Sequence, residues 1–219
     1  MASVRPMSKP VLYDYFRSST AYRVRIALGL KGIGYDRVPV NLLEGEQKAE
    51  GYRARNPQGL VPTLEIDGRT LVQSLAILAY LDATRPEPPL LPADPADAAH
   101  VRALALAIAC DIHPVNNLRV LKYLSGPLGQ PQEARDAWYR HWVAEGLAAL
   151  ETMAAARAGR YLFGDSVTLA DLCLVPQMYN ARRFEVPLDD CPTLVRADAE
   201  ANRLEAFAAA HPDAIGAAT

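Results

Sequence analysis

Five prolines within residues 85–95 divide the chain into two parts with different patterns. Proline lacks a backbone N–H group and restricts the residue before it, so such a cluster interrupts helices and strands alike. Short apolar runs separated by turns precede the cluster, and long segments with a helical period follow it. The sequence therefore predicts an α/β domain over residues 1–86 and an all-helical domain over residues 92–219.

The α/β part begins with a strand, a turn and a helix. Val11–Tyr15 is a short apolar run, and a helical period begins at Val24 after the hydroxyl-bearing residues 18–20. Tyr35–Val40 alternates between apolar and polar residues, as a second strand does. Two strands joined by a helix predict a right-handed parallel βαβ unit.

A hairpin and another helix complete this part of the chain. The dipeptide Asp67-Gly68 separates the apolar runs Thr63–Ile66 and Thr70–Val72, and such a dipeptide is a strong hairpin signal. A helical period follows from Ser74, which we expect to be the N-cap.

The second part contains three long helical segments. They are Ala96–Leu124, Glu133–Ala158 and a segment that begins at Thr168. At the start of the third segment Asp171 follows Thr168 by three residues, which is a variant of the capping box. Pro114 interrupts the first segment and predicts a kink, since a proline inside a helix costs ~3 kcal/mol. The apolar face of this segment comprises Val101, Leu104, Ala105, Ile108 and Ile112.

Composition narrows the class of protein. Half of the residues are hydrophobic, and 23 basic residues against 25 acidic ones give a net charge of −2, which argues against nucleic acid or a membrane surface as a partner. The three cysteines have no metal-binding spacing, and we expect Cys110 and Cys173 in the core. No apolar run looks long enough to span a bilayer, and no signal sequence is visible. We therefore expect a cytoplasmic protein without a metal ion.

Two helix starts are candidate anion sites, because free N–H groups and partial positive charge at a helix N-terminus stabilise anions. At the first, Arg17 precedes three hydroxyls, and at the second Gln73 precedes Ser74. The three hydroxyls belong to Ser18, Ser19 and Thr20. Capping is the simpler interpretation at both starts, but the two roles are compatible: Ser19 could cap the helix while Ser18 faces a ligand.

The Val61-Pro62 bond is a third candidate. A cis bond would turn the N–H and C=O groups of Val61 outward, where an extended peptide could pair with them. A trans proline at a strand boundary is the alternative, since only about 5–6% of such bonds are cis. We expect the cis form.

The helical part offers two further sets of polar residues. A kink at Pro114 could turn His113, Asn117 and Arg119 toward a cleft, although a lone histidine is more often a satisfied core or surface residue. The pair Arg182-Arg183 could grip a carboxylate, because a guanidinium forms two parallel hydrogen bonds to it. The alternative is a solvated helix end.

The order of these motifs resembles the zeta class of the glutathione transferases. The zeta signature Ser-Ser-Cys-x-Trp-Arg-Val-Arg-Ile-Ala-Leu appears at residues 18–28, with Thr20 in place of cysteine and Tyr22 in place of tryptophan. The resemblance extends from Val11 to about Ala210. Other motifs fall where the family has them: Asn56-Pro57, Val61–Leu64, Gln73–Ile77 and Thr168–Asp171.

The resemblance implies a thioredoxin-like domain that binds glutathione and an all-α domain that binds the second substrate. It implies glutathione contacts at Ser18, Ser19, Thr20, Gln47, Val61, Gln73, Ser74, His113, Asn117 and Arg119. It also implies catalytic roles for Ser18 and Ser19 beside the glutathione sulfur, together with Arg17. Arg17 and Arg183, with Arg182 as the less favoured member of its pair, would hold a small dicarboxylate substrate.

Zeta-class members are maleylacetoacetate isomerases, and close bacterial relatives are maleylpyruvate isomerases. We therefore expect a glutathione-dependent cis–trans isomerase that forms a homodimer through Ala96–Leu124 and the region before it. The choice between the two substrates stays open. One alternative is a glutathione transferase acting on α-haloacids, although Thr20 in place of the cysteine argues against reductive dehalogenation. The other is a non-catalytic interaction module of the same fold, which the intact hydroxyl turn argues against.

Overall fold

A computed structural model describes residues 9–216 of the chain. These residues form two compact units, the first made of residues 9–88 with 205–216 and the second of residues 89–204. The predicted combination of an α/β part and a helical part is confirmed.

The strands are short and the helices numerous. The strands are β1 (Val11–Asp14), β2 (Asp36–Pro39), β3 (Thr63–Ile66) and β4 (Arg69–Val72). The helices are α1 (Ser19–Leu30), α2 (Glu50–Arg53), α3 (Ser74–Thr84), α4 (Pro95–Leu106), α5 (Leu118–Ser125), α6 (Gln132–Ala155), α7 (Leu169–Arg183), α8 (Pro192–Ala201), α9 (Glu205–Ala210) and α10 (Pro212–Ile215). A 3₁₀ turn at Glu46–Lys48 precedes α2.

The sheet of the first unit has the order β2-β1-β3-β4. β1 pairs with β2 in parallel, as the βαβ pattern predicts, and with β3 in the antiparallel direction. Asp67 and Gly68 connect β3 to β4 with φ angles of 53° and 71°, the left-handed values that the favoured two-residue hairpin turn requires. The predicted hairpin is therefore confirmed.

Helix α1 begins inside the hydroxyl turn and supplies much of the core. Its Val24, Ile26 and Leu28 are completely buried, as are Ile77 and Leu81 of α3, which packs against α1. Burying a side chain of this size contributes roughly 1.5–3 kcal/mol. This packing holds the start of α1 and the start of α3 in fixed positions within one unit.

The end of the described chain packs with the first unit. A Cβ atom at Gly29 would lie 3.2 Å from the Cβ atom of Ala206, so glycine allows α9 to approach α1 closely. The Nε group of Arg25 donates to the Ala210 carbonyl at 2.9 Å. Residues 205–216 thus pack with the α/β unit, whereas the sequence pattern groups them with the helical stretch 92–219.

The first helical segment of the second unit is broken where the sequence predicts a kink. After α4, a π-helical turn covers Ala107–Ile112 and a 3₁₀ turn covers Pro114–Asn116. The five residues of the predicted apolar face are all buried. By length and composition the combined stretch Pro95–Ser125 could cross a membrane, contrary to the sequence expectation, but core helices of soluble proteins share these properties.

Two further expectations concern the second unit. The capping box is confirmed, since the Thr168 N–H group donates to the Asp171 carboxylate at 2.8 Å. Cys173 is buried as expected. The expectation for Cys110 is wrong because its side chain is exposed, on the outer side of the π-helical turn.

Candidate functional site

The hydroxyl turn between β1 and α1 is ordered by its own backbone. The Ser18 N–H group donates to the Tyr15 carbonyl at 2.8 Å. The Ser18 Oγ atom accepts from the Ala21 N–H group at 3.3 Å, which makes Ser18 the N-cap of α1. The cap is therefore Ser18 and not Ser19, the other possibility raised by the sequence, because Ser19 is the first helical residue and is buried.

A chain of hydrogen bonds connects this turn to the loop before β3. Ser18 Oγ and Thr20 Oγ1 are 2.9 Å apart, and Thr20 Oγ1 donates to the Val61 carbonyl at 2.9 Å. Since the single hydroxyl proton of Thr20 lies toward Val61, Ser18 is the donor to Thr20. We call this series of groups, from Ser18 through Thr20 to Val61, the hydroxyl chain.

The loop that carries Val61 is fixed on its other side. The Val61-Pro62 bond is cis, as predicted. Tyr52 Oη and Asn56 Nδ2 donate to the Leu60 carbonyl at 2.6 and 2.7 Å. Burial raises the pKa of Tyr52, so its hydroxyl remains a donor at neutral pH. The Val61 carbonyl accepts from Thr20 but keeps a second lone pair for an extended ligand.

The start of α3 differs from the prediction. Ser74 is the first helical residue, and Gln73 is the N-cap with φ 69°, a value rarely seen outside glycine. The predicted Ser74 cap is therefore wrong. Within the described part of the chain no side chain caps this helix, and the Gln73 amide donates instead to the Gln58 side chain at 2.6 Å. The first N–H groups of α3 are left for an anion.

Two buried side chains near these elements have polar atoms without partners within residues 9–216. The Oε1 atom of Gln47 is one, and the Nε and Nη2 atoms of Arg23 are others. The backbone of Gln47 packs closely against Gly59: a Cβ atom added at Gly59 would lie 2.9 Å from the Gln47 carbonyl oxygen. Buried polar groups are nearly always hydrogen-bonded, so these unpaired atoms are candidate contacts for a ligand or a water molecule.

The described part of the first unit also contains an exposed cation beside the hydroxyl turn. Arg17 precedes Ser18, and its guanidinium lies 4.9 Å from the centre of the Phe16 ring. No ion pair joins Arg17 to a carboxylate of the described residues. Arg17 is therefore available to a dicarboxylate.

The candidates of the second unit lie together at the break in its first helical segment. His113 ends the π-helical turn and is half-buried. Asn117 is the N-cap of α5, and its Oδ1 atom accepts from the Arg119 N–H group at 3.0 Å. The Arg119 side chain is exposed. These three polar side chains thus lie within seven consecutive residues at the break. Their contact with glutathione stays a prediction.

The arginine pair at the end of α7 has two different environments. Arg182 forms an ion pair with the buried Asp198 at 2.7 Å. Arg183 is exposed, and its Nη1 atom donates to Asn180 Oδ1 at 3.3 Å. Arg182 thus already has a carboxylate partner, and the preference for Arg183 as the substrate residue stays a prediction.

Comparison with known proteins gives the family. Residues 12–89 match the N-terminal domain of glutathione S-transferase, and residues 136–210 match its C-terminal domain. The chain belongs to the glutathione S-transferase family. The predicted resemblance is therefore confirmed, and the uncapped helix start, the hydroxyl chain and the cis bond are features of this family member.

Several relatives of this glutathione S-transferase are named as isomerases of maleylacetoacetate or maleylpyruvate. A maleylacetoacetate isomerase of Rhizobium meliloti is 53% identical over 94% of this chain and 97% of its own length. The holo structure of a maleylpyruvate isomerase, a bacterial zeta-class glutathione S-transferase, has a TM-score of 0.91 at 45% identity, covering 93% of this chain and 97% of its own. A maleylacetoacetate isomerase of Anaeromyxobacter dehalogenans with bound dicarboxyethyl glutathione and citrate has a TM-score of 0.85 at 47% identity, covering 96% and 97%.

Sequence reasoning missed two residues that shape the site. Arg23 lies inside the signature stretch, and only its burial next to α3 separates it from an ordinary helical arginine. Tyr52 anchors the loop of Val61 from a short helix whose polar sequence gives no such signal. In both cases the informative contact joins residues that are distant in sequence.

Proposed function

We propose that this protein is a zeta-class, glutathione-dependent cis–trans isomerase of a maleyl dicarboxylate, either maleylacetoacetate or maleylpyruvate. The hydroxyl chain carries the proposal, because it places a serine hydroxyl and a peptide-pairing carbonyl next to each other at a helix N-terminus. The names of the relatives at 45–53% identity agree with it.

The residues of the first unit fit glutathione. Glutathione is an extended peptide with a carboxylate at each end and a thiol in the middle. Val61 offers a backbone edge to the peptide, the uncapped start of α3 at Gln73 and Ser74 offers N–H groups to the γ-glutamyl carboxylate, and Gln47 has an unpaired acceptor. When bound, glutathione supplies a thiolate that adds to the cis double bond and leaves after rotation, so that it is recovered unchanged.

Ser18 is the residue we assign to the sulfur. A thiol has a pKa of about 8.5, and its thiolate is the reactive form. A hydroxyl donor and the positive end of α1 both favour the thiolate, each pKa unit corresponding to about 1.36 kcal/mol. Ser19 is buried at the first helical position and supports the turn.

The charges of the substrate require cationic partners. Arg17 lies next to Ser18, and we assign it to the carboxylate near the double bond, where negative charge develops. We assign Arg183 to the distant carboxylate, with Arg182 occupied by Asp198. A dicarboxyethyl thioether, the group named in the Anaeromyxobacter structure, is what a thiol forms by adding to an unsaturated four-carbon dicarboxylate.

We also propose that the protein is a cytoplasmic homodimer. The stretch predicted as the interface carries Leu106 and Tyr123, which are 43% and 57% exposed although large and apolar. Contact between two copies would remove such side chains from water. Light scattering at micromolar concentration should give twice the 23.8 kDa mass of one chain, and a monomer mass contradicts the proposal.

The function is tested by an absorbance assay with both maleyl compounds in the presence and absence of glutathione. Isomerisation that needs glutathione supports the proposal, and the ratio of kcat/KM values identifies the preferred substrate. S-methylglutathione, which has no free thiol, is the control and should not support turnover. Consumption of glutathione with an α-haloacid, without isomerisation of either maleyl compound, would indicate a transferase instead.

A further inference from the structure

Arg23 of α1 is a buried cation without a carboxylate partner among the described residues. The residue is 1% exposed, and its Nη1 atom donates to Ser74 Oγ at 3.4 Å. Its Nε and Nη2 atoms have no hydrogen-bond partner within residues 9–216. An arginine remains charged at all relevant pH values, so the burial of a full positive charge here is uncompensated.

Arg25, two residues later, is a buried arginine whose hydrogen-bonding groups have partners. It is equally buried, but its Nη1 atom donates to both oxygens of Asp14 at 2.8 and 2.9 Å. Its other groups donate to the carbonyls of Phe16 and Ala210 at 3.0 and 2.9 Å. The same helix therefore carries one arginine with a complete set of partners and one that lacks an anion.

The position of Arg23 indicates where the missing anion binds. Its guanidinium donates to Ser74, the first residue of α3, and no described side chain caps this helix start. The helix N-terminus and the guanidinium favour negative charge at the same place. A buried charge without a partner is costly, and a ligand carboxylate at this place would reduce that cost.

We propose that Arg23 is a positioning residue that acts through Ser74 as the counter-charge for the α-carboxylate of the γ-glutamyl residue of glutathione. The inference rests on the proposed function, which places that carboxylate at the start of α3. Arg23 orients the Ser74 hydroxyl and supplies a positive charge at a buried place, where water and salt screen it little.

The proposal predicts a specific pattern of affinities. Arg23→Met should weaken glutathione binding by roughly tenfold to a hundredfold, the effect expected of a lost charge-assisted interaction. Arg23→Lys keeps the charge and should retain most of the affinity. Arg69→Met removes an exposed arginine of the same unit and is the matched control, with binding unchanged.

Isothermal titration with three thiol ligands tests this. γ-Aminobutyryl-cysteinylglycine lacks the α-carboxylate but keeps the amine, and glutaryl-cysteinylglycine lacks the amine but keeps the carboxylate. The parent protein should bind the first much more weakly than glutathione. Arg23→Met should weaken the binding of glutathione and the glutaryl compound but leave the affinity for the aminobutyryl compound unchanged.

The possible failures are distinguishable. If the parent protein binds glutathione and the aminobutyryl compound equally well, the placement of the carboxylate at α3 is wrong. If the parent discriminates between them and Arg23→Met discriminates equally, the role of Arg23 is wrong. Equal losses for all three ligands would indicate a structural role only. If Arg23→Met does not fold, Arg23→Gln, which keeps donors but not the charge, must show the same selective loss.

Discussion

Thr20 donates its hydroxyl proton to the Val61 carbonyl at 2.9 Å, and this bond fixes the direction of the hydroxyl chain. The Ser18 hydroxyl, 2.9 Å from Thr20, must then donate to the Thr20 oxygen. Before glutathione binds, the proton assigned to the sulfur is therefore engaged elsewhere. Ser18 has to turn this proton toward the thiolate, and a charge-assisted bond of about 1.5–3 kcal/mol outweighs a neutral one of about 1 kcal/mol.

The first prediction concerns Ser18. Removing its hydroxyl should raise the pKa of bound glutathione and lower turnover roughly tenfold to a hundredfold, because one charge-assisted bond is lost. Since Ser18 is also the N-cap of α1, Ser18→Ala should cost about 0.5–2 kcal/mol of stability, whereas Ser18→Gly should cost only a few tenths. Both variants should lose activity alike, measured by steady-state kinetics and by thiolate absorbance against pH. Parental activity in Ser18→Gly rejects the catalytic role.

The second prediction concerns Thr20. Thr20→Val removes the group that competes for the Ser18 proton, so the pKa of bound glutathione should fall by up to about one unit, which is the opposite of the Ser18 effect. Thr20→Ser keeps the hydroxyl and is the matched control, with the parental pKa. The thiolate absorbance of the bound ligand, titrated with pH, measures both. A raised pKa in Thr20→Val would mean that Thr20 itself donates to the sulfur.

The third prediction concerns the two substrate arginines. Arg17→Ala should mainly lower kcat, because charge develops near it in the transition state, and Arg183→Ala should mainly raise KM. Each effect should be roughly tenfold to a hundredfold. Arg17→Lys and Arg183→Lys should lose as much activity as the alanine variants, since the point charge of lysine does not reproduce the planar guanidinium group.

Arg182→Ala separates binding from stability at the end of α7. It removes the ion pair with the buried Asp198 and should lower stability while changing KM little. Thermal unfolding and steady-state kinetics on a maleyl substrate measure the two effects. If Arg183→Ala leaves both kinetic constants unchanged, the second clamp is elsewhere, with Arg182 and Arg119 next to test.

The fourth prediction concerns pH and the capping box of α7. Burial raises the pKa of Asp171 to about 6, although three hydrogen-bond donors oppose this. In the unfolded chain the pKa of an aspartate is about 3.9. Between about pH 3.9 and pH 6 the folded state therefore keeps the Asp171 proton, whereas the unfolded chain releases it. The contribution of Asp171 to stability is therefore present below pH 4 and is lost as the pH rises through 6.

Denaturant unfolding of the parent and Asp171→Asn at pH 4 and pH 7 measures this contribution. Because the other titrating groups are common to both proteins, the difference in unfolding free energy isolates Asp171. The parent should lose up to about 3 kcal/mol relative to the variant between pH 4 and pH 7. A parent that instead gains relative stability at pH 7 would show that the hydrogen bonds outweigh the burial.

The sequence predicts the features that depend on neighbouring residues. Asp67-Gly68 defines the hairpin because left-handed φ angles suit these two residue types. Thr168 and Asp171 define a helix start because their reciprocal bonds span only three positions. Pro114 marks the break between α4 and α5 because a proline lacks the N–H group that continues the helical hydrogen bonds.

The sequence does not predict features set by packing or by single backbone angles. Ser18 rather than Ser19 caps α1, and Gln73 rather than Ser74 precedes α3, because the cap is decided by one φ/ψ pair that several polar residues tolerate. The bond from Thr20 to Val61 spans 41 positions, and the approach of Arg23 to Ser74 spans 51. Such contacts appear only once the sheet and helices are assembled.

The most direct test of the central claim follows the isomerisation of maleylpyruvate and of maleylacetoacetate by proton NMR with glutathione at one hundredth of the substrate concentration. The account predicts complete conversion of at least one cis compound to its trans isomer, with the glutathione signals intact at the end. No conversion of either compound, or conversion that stops when the glutathione is used up, would contradict it.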